Sequence, residues 1–263
     1  MHSRKVRWIT AFSAVACLLW VFGLGWTVKD YLFGAGTAAV QPSTGTDSTV
    51  VSNAMTIVAL GDSLTRGMGD IEGKGYVGYV GDRLKQEGLD ITLVNLGIKG
   101  LTSFELVEQI KQKEIERQIR QADMILMTIG GNDLFLGGQS LMDPSEENIR
   151  GLEEGYTTNL NVILSSIQTA NPDAIVYVLG LYDPFNELES GELTSRVVRG
   201  WNYKMTETMA GYPNAVFVPT YDLFQRSVSH YLFSDQFHPN EKGYLLMADR
   251  VAALILEAGG RQP

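Results

Sequence analysis

The chain has 263 residues, of which 44% are hydrophobic and 19% are charged, a composition typical of a folded globular protein and not of a disordered one. Residues 1–53 contain four basic and two acidic residues, so the remaining 17 basic and 28 acidic residues give the rest of the chain a balance of −11. A surplus of negative charge excludes bulk electrostatic attraction to nucleic acids or anionic lipid headgroups as a basis for function.

The first predicted element is an uncharged, mostly apolar run from Ile9 to Val28, long enough to cross a hydrocarbon core of about 30 Å as a helix. Three basic residues precede this run and Lys29 follows it, which predicts a cytoplasmic N-terminus and an extracytoplasmic remainder. Trp8 and Trp26 lie at its ends, as interfacial anchors do. We interpret residues 1–32 as a single-pass signal anchor in the cell membrane; the alternative is a cleaved signal peptide and a secreted protein.

Residues 33–53 are rich in Gly, Ala, Ser and Thr and lack apolar periodicity, which predicts a flexible linker before a folded domain at residues 54–263. Cys17 is the only cysteine, so an internal disulfide is excluded. The apolar run continues beyond Cys17, which disfavours a lipidation site there.

Within the domain, five short strand-like runs alternate with segments long enough to form helices. These runs are Thr56–Leu60, Ile91–Asn95, Met124–Ile129, Ile175–Leu179 and Ala215–Val218. The alternation predicts an α/β fold with a parallel sheet and helices on both of its faces.

The helical patterns differ in clarity. Apolar residues recur at three- and four-residue steps from Glu146 to Ala170, around Trp201 and from Leu245 to Ile255, which predicts three helices packed on the sheet. The more polar segment from Ser103 to Gln121 predicts one surface helix. Two longer connections, 134–144 and 183–191, follow carboxyl ends of strands, where they either shape a substrate groove or form ordinary surface loops.

The first strand ends in Gly61-Asp62-Ser63-Leu64 and passes into a glycine-rich segment. A strand-to-helix turn at this point would expose the Ser63 hydroxyl as a nucleophile and place its backbone N–H near a helix start, where unpaired amides can face a developing negative charge. Asp62 is expected to hold the turn through hydrogen bonds and not to react itself. The same residues also suit an ordinary helix N-cap.

Two further segments offer hydrogen-bond donors at carboxyl ends of strands. Gly97 follows the second strand, where its N–H can point into the crevice, although a plain turn glycine is the alternative. Asn132 follows two glycines after the third strand, and its side-chain amide is an uncharged donor that can stabilise an oxyanion. Asn132 and Asp133 would equally suit a turn or a helix cap.

His238 is the candidate general base. Asp235 precedes it by three residues, a spacing that lets the carboxylate accept from the Nδ1–H of His238 and leaves Nε2 free to take a proton. The other histidine of the domain, His230, lies in an aromatic run and is interpreted as structural. Asp62, Asp133 and His238 supply too few ligands at a recognisable spacing for a metal hydrolase.

Serine, glycine, asparagine and Asp-x-x-His occur in this order in four blocks, and in these blocks the chain resembles the SGNH/GDSL hydrolase family. The resemblance spans nearly all of residues 54–263. It implies a three-layer, flavodoxin-like fold with five parallel strands and ester hydrolysis without a cofactor. It also implies the roles given above to Ser63, Gly97, Asn132, Asp235 and His238. More loosely, the membrane anchor resembles that of lipase/acylhydrolase-type proteins of Gram-positive cell surfaces.

The sequence therefore predicts a serine esterase. Ser63 would attack an ester carbonyl, His238 would take its proton, Asp235 would stabilise the imidazolium, and the oxyanion would lie among the N–H groups of Ser63 and Gly97 and the amide of Asn132. Small-molecule, lipid and cell-wall esters are candidate substrates. One alternative is an acyltransferase that acts on a cell-surface glycan or lipid, and another is a binding module without turnover.

Overall fold

The computed structural model describes residues 54–135 and 145–259. Its strands form one five-stranded parallel sheet in the order β2-β1-β3-β4-β5. The strands are β1 (Met55–Gly61), β2 (Ile91–Asn95), β3 (Met124–Thr128), β4 (Ile175–Leu179) and β5 (Ala215–Val218). This confirms the predicted parallel sheet, and each predicted strand boundary is correct to within one residue.

Helices cover both faces of the sheet, as predicted. In chain order they are α1 (Ser63–Arg66), α2 (Gly75–Gln86), α3 (Ser103–Ile110), α4 (Lys113–Arg120), α5 (Gly131–Phe135), α6 (Glu146–Ala170), α7 (Gly191–Met209), α8 (Tyr221–Phe224), α9 (Val228–Tyr231) and α10 (Glu241–Gly259).

Alternate residues of each central strand enter two separate cores. In β1, Val58 and Leu60 pack with α3, α4, α6 and α7, whereas Ile57 and Ala59 pack on the opposite face with α2 and α10. The period of two along each strand therefore produces the three layers.

The segment from Ser103 to Gln121 differs from the prediction, because it forms two helices, α3 and α4, and not one. Gln112 separates them in an extended conformation with ψ 130°. The apolar residues explain this break. Ile110 and Ile115 are five positions apart, so a continuous helix would place them about 140° apart around its axis. The break returns both side chains to the same core.

Three predictions concern residues outside the described ranges. The membrane-spanning helix at residues 9–28 and the linker at 33–53 lie there, as does most of the connection 134–144. Of the helices in residues 54–135 and 145–259, none is both long and apolar enough to span a bilayer.

The chain reverses its direction of travel across the sheet between β1 and β3, and the crevice at the carboxyl ends of such strands is where open α/β sheets bind ligands. Gly61 closes β1 at this point with φ +127°. A Cβ atom on Gly61 would lie 2.0 Å from the carbonyl oxygen of Thr128 at the end of β3. Only glycine lets the two strand ends approach in this way, and the next residues, Asp62 and Ser63, emerge directly over the gap.

We predict that Gly61→Ala destabilises the protein by more than about 3 kcal/mol, because it adds a steric clash with β3 to the strain of an unfavourable φ. Gly88→Ala is the matched control: Gly88 also has a positive φ, +83°, but a Cβ there meets nothing within 4 Å. The control should cost only about 1 kcal/mol. Urea unfolding of the two variants measures the difference, and equal losses would contradict the close approach of β1 and β3.

Candidate active site

Ser63 is the first residue of the short helix α1, immediately after β1. Asp62 caps this helix, and its Oδ1 accepts a hydrogen bond from the Leu64 N–H at 3.0 Å. Ser63 is buried except for a small exposed fraction. No group in the described part of the chain accepts its backbone N–H. The structure therefore contains both of the arrangements that the sequence allowed. Asp62 caps the helix, and Ser63 lies on a strand-to-helix turn.

A buried chain of hydroxyl groups supports this turn. Thr128 donates from Oγ1 to Asp62 Oδ1 at 2.8 Å, and its Oγ1 lies 2.7 Å from the Oγ1 of Thr65. The hydroxyl of Tyr76 lies 3.2 Å from the same Thr65 oxygen. These contacts fix α1 to the end of β3 and to helix α2, so the position of Ser63 depends on three separate elements.

Asp62 is buried beneath the serine turn. Burial penalises its charged form and, despite hydrogen bonds from Thr128 and Leu64, raises its pKa from an ordinary value of 3.8 to about 6. As predicted, the contacts of Asp62 are with the turn itself. It donates its backbone N–H to the Thr128 carbonyl oxygen at 3.1 Å, which ties the turn to β3 a second time.

The structure brings Ser63, His238 and Asp235 together in the predicted order. His238 Nε2 lies 2.9 Å from Ser63 Oγ, and His238 Nδ1 lies 2.6 Å from Asp235 Oδ2. Because Asp235 accepts a proton from Nδ1, Nε2 is the ring nitrogen that can accept from the serine hydroxyl. Partial burial acts against ionisation of Asp235, but hydrogen bonds from the imidazole and from backbone N–H groups outweigh it and lower its pKa.

The segment that carries His238 is a turn fixed at several points. Asp235 Oδ1 accepts from the backbone N–H groups of Phe237 and His238, each at 3.0 Å. The hydroxyl of Tyr182, at the end of β4, donates to the Phe237 carbonyl. Asn240 donates to the carbonyl of Leu232 at 2.9 Å and so closes the base of the turn. These contacts hold the imidazole in place on a segment outside the helices and the sheet.

Asn132 lies in the first turn of α5, directly after β3. One of its two amide hydrogens is donated to the Leu101 carbonyl at 2.9 Å, so the second remains for another acceptor. The neighbouring Asp133 accepts from the Ser103 N–H at 2.9 Å. Burial raises the pKa of Asp133, although bonds from Ser103 oppose this. Together, Asn132 and Asp133 fasten α5 to the segment after β2.

Gly97 lies near the site, but its N–H is already used. It donates to the Asn95 side chain at 3.0 Å, and Asn95 in turn donates to the Thr65 carbonyl at 2.7 Å. A Cβ on Gly97 would lie 2.7 Å from the backbone nitrogen of Arg66. Gly97 therefore supports the back of α1 and does not present a free donor to the crevice in this structure.

Gly100 is a donor that the sequence reasoning missed. It lies in a turn closed by the Leu101 N–H and the Ile98 carbonyl at 3.2 Å, and it has φ +78°. Its own N–H has no acceptor among the described residues. Gly100 precedes Leu101, whose carbonyl binds Asn132. A second glycine three positions after Gly97 was the available signal, but the sequence does not reveal which N–H is free.

A pocket opens beside Ser63 toward the ends of β3 and β4. Most of its lining is apolar, and the side chains that form its wall are Phe135, Leu181, Tyr182, Pro184 and Phe237. The connection 183–191 contributes Pro184, so this part of the predicted groove does reach the site. Three phenylalanine rings, those of residues 135, 185 and 237, pack edge to face or tilted at 5.4–6.2 Å and join the loops around the pocket.

The remaining candidate residues do not join the site. His230 is exposed on α9, where its ring packs edge-on against Tyr231 and its Nε2 lies 3.3 Å from the Lys242 ammonium. Within residues 54–135 and 145–259, no three His, Cys, Asp or Glu side chains lie close enough to hold a metal ion.

Comparison with known proteins identifies the family to which the chain belongs. Residues 59–246 match the GDSL-like lipase/acylhydrolase family. The chain is 35% identical over 209 residues to the uncharacterized protein YpmR of Bacillus subtilis, covering 77% of this chain and 82% of that protein. It is 26% identical over 202 residues to the spore germination lipase LipC of Bacillus licheniformis, covering 74% of this chain and 93% of LipC.

Solved structures agree with this comparison. The lipase Lip_vut3 from a goat rumen metagenome superposes with a TM-score of 0.69 at 25% identity, covering 76% of this chain and 97% of the lipase. The family match, over residues 59–246, includes Ser63, Asn132 and His238. The chain therefore belongs to the GDSL-like lipase/acylhydrolase family of serine ester hydrolases.

Proposed function

We propose that the protein hydrolyses carboxylic esters through an acyl-enzyme on Ser63, with His238 as general base and Asp235 as its partner. The observation that carries this proposal is the continuous pair of hydrogen bonds, 2.9 Å from Ser63 to His238 and 2.6 Å from His238 to Asp235. His238 Nε2 takes the serine proton as Oγ attacks the carbonyl carbon, and it returns that proton to the leaving alcohol. Water repeats the sequence to release the acid.

Three donors stabilise the oxyanion in this mechanism. They are the N–H of Ser63, the N–H of Gly100 and the free amide hydrogen of Asn132. Gly100 replaces Gly97 in the role expected from the sequence, because the Gly97 N–H is donated to Asn95. Uncharged donors suit this role, since they stabilise developing negative charge without changing the protonation of the base.

The acyl chain of the ester lies in the apolar pocket formed around Phe135, Pro184 and Phe237. An apolar wall favours an alkyl chain over the hydrated surface of a sugar, because each buried methylene contributes about 0.8 kcal/mol. The name of the Bacillus licheniformis relative, a spore germination lipase, supports a lipid ester as the substrate class.

The protein acts outside the cytoplasm, held by an N-terminal membrane anchor. The apolar run at residues 9–28, with basic residues before it, supports this location. A cleaved signal peptide would give the same compartment without the anchor. Fractionation and the mass of the mature protein distinguish the two, since an anchored chain stays in the membrane fraction at full mass and a cleaved chain is released at a lower mass.

We predict that Ser63→Ala lowers kcat for nitrophenyl ester hydrolysis by at least about ten-thousand-fold, because no nucleophile remains. The measurement is the initial rate of the full chain across acyl lengths. Ser190→Ala, an exposed serine at the start of α7 whose side chain makes no cap hydrogen bond, is the matched control and should leave the rate unchanged. Residual activity of Ser63→Ala above one-tenth would reject the serine mechanism.

We predict that Asn132→Ala lowers kcat by about a hundred- to a thousand-fold with little change in KM, the loss that follows removal of one oxyanion donor. The control is Asn159→Ala, since Asn159 also donates to the segment after β2, to Ser103 Oγ at 2.9 Å, but lies on α6. It should cost less than tenfold. Equal losses in kcat would mean that Asn132 only holds this segment in place.

We predict that Asp62→Asn removes a pH dependence of stability. Because the pKa of Asp62 is raised to about 6, the native state keeps a proton that the unfolded chain releases, and stability falls as the pH rises from about 4 through 6. The free energy lost is about 3 kcal/mol. Asparagine keeps the cap and the bond from Thr128 and has no charge to bury.

The measurement is urea unfolding of the full chain and of Asp62→Asn at pH 3.5 and at pH 7.5. The difference between the two proteins should grow in favour of the variant at the higher pH. A difference independent of pH would show that burial of Asp62 has little energetic effect.

A further inference from the structure

Large apolar side chains are exposed at the edge of the domain that carries the active site. In the described part of the chain, nine such side chains are exposed, and six of them lie on connections at the carboxyl edge of the sheet or in the first turn of a helix that begins there. We call these six the apolar rim: Ile71, Ile98, Phe104, Leu188, Leu193 and Phe233.

The members of the apolar rim come from four separate connections. Ile71 follows α1, Ile98 and Phe104 lie between β2 and the first turn of α3, Leu188 and Leu193 lie between β4 and the first turn of α7, and Phe233 precedes the His238 turn. Ile71 is 93% exposed and Phe104 is 63% exposed. Parallel strands bring all these connections to one edge, so the exposed side chains share with Ser63 the edge at which open α/β sheets bind ligands.

Soluble proteins rarely collect exposed apolar side chains at one place, and such a collection marks an interaction site. A protein partner seated on the apolar rim would cover the pocket beside Ser63. A lipid surface would instead present ester groups and alkyl chains to that pocket. The arrangement of apolar residues around an apolar pocket therefore fits a surface that supplies the substrate.

Charge around the apolar rim is mixed, with the exposed Lys99 beside Ile98 and the exposed Glu72 and Lys74 near Ile71, and it gives no basic cluster for anionic lipids. The connection that carries Leu188 and Leu193 also holds the exposed carboxylates of Glu187, Glu189 and Glu192, and residues 183–195 contain no lysine or arginine. Attachment must come from insertion of apolar side chains into the interface. The best partner is a bilayer with neutral, zwitterionic headgroups.

The sequence upstream of the described domain predicts a membrane anchor and a linker. An apolar run of twenty residues lies upstream, and the predicted linker of residues 33–53 ends just before β1. Met55 begins β1 at the amino edge, opposite the crevice, and a seven-residue strand is about 23 Å long. A fully extended linker of this length reaches about 70 Å, so the carboxyl edge can turn toward the same membrane.

We propose that the apolar rim docks the catalytic edge on a lipid surface, from which the enzyme takes its ester substrate. The inference rests on the proposed function for the substrate and on the exposed side chains for the docking. It adds a membrane contact made by the catalytic domain itself, separate from the N-terminal anchor.

The first test is independent of turnover. Ile71→Cys and, as matched control, Val162→Cys on the outer face of α6 are made in the full chain with Cys17→Ser, labelled with an environment-sensitive fluorophore and reconstituted in phosphatidylcholine vesicles. Emission from position 71 should shift to the blue and be quenched at least threefold by nitroxide-bearing lipids. Position 162 should remain in water.

Water-like emission from both positions would overturn the proposal. A blue shift at position 71 that nitroxide lipids do not quench would also overturn it, because a protein partner or a second copy would then cover the rim. Quenching that disappears in high salt would overturn attachment by apolar insertion. Each result can be interpreted even if Ser63 is not the nucleophile, because the measurement does not depend on turnover.

The second test uses activity. The double variant Ile71→Ser/Phe104→Ser should hydrolyse soluble nitrophenyl acetate within twofold of the native rate and a long-chain ester embedded in phosphatidylcholine vesicles at least tenfold more slowly. The control, Val162→Ser/Leu256→Ser, removes two exposed apolar side chains elsewhere and should change neither rate. Equal losses on both substrates would reject docking, since the rim would then act on the site and not on the lipid surface.

Discussion

The close approach of β1 and β3 at Gly61 and Thr128 is the constraint on which the site depends. A Cβ at Gly61 would lie 2.0 Å from the Thr128 carbonyl oxygen, so the strands can meet only where the side chain is absent. Thr128 then reaches Asp62 with its hydroxyl, and the Asp62 N–H returns to the Thr128 carbonyl. Ser63 therefore lies on a turn that is hydrogen-bonded to β3. Because Asn132 follows β3, these bonds limit the movement of Ser63 relative to Asn132. Precise placement of this kind is what proximity and oxyanion stabilisation require.

Two carboxylates near Ser63 have opposite environments and therefore different chemistry. Asp62 is buried, and burial raises its pKa to about 6. Asp235 is partly exposed, and the imidazole and two backbone N–H groups lower its pKa. An ionised Asp235 can stabilise an imidazolium at neutral pH, whereas a charge on Asp62 costs stability. The arrangement explains why Asp62 can hold the turn through hydrogen bonds while Asp235 is the partner suited to the base.

Local patterns in the sequence were sufficient for the strands, the layer order and the grouping of serine, asparagine and Asp-x-x-His, because strand ends in a parallel sheet meet at one edge. Contacts between residues far apart in the sequence could not be predicted. Thr128, Asn95 and Tyr182 support the site from 66, 30 and 55 residues away from the groups they bind, and no local spacing indicates such partners. Gly97 and Gly100 show the same limit, since the direction of a backbone N–H depends on turn geometry. The break between α3 and α4 could have been predicted from the five-residue step between Ile110 and Ile115.

The polarity of the sheet also explains how one domain can combine a rigid site with a variable surface. All five strands end at the same edge, so their connections can differ in length and composition without disturbing the hydrogen bonds of the sheet. Some of these connections hold the reacting groups through buried contacts, as at Thr65 and Tyr182. Others expose apolar side chains such as Ile71 to water, which lowers solubility and gives no packing energy in the free domain. Their presence at this edge agrees with the proposed contact with an apolar surface, and the amino edge has no comparable group among the described residues.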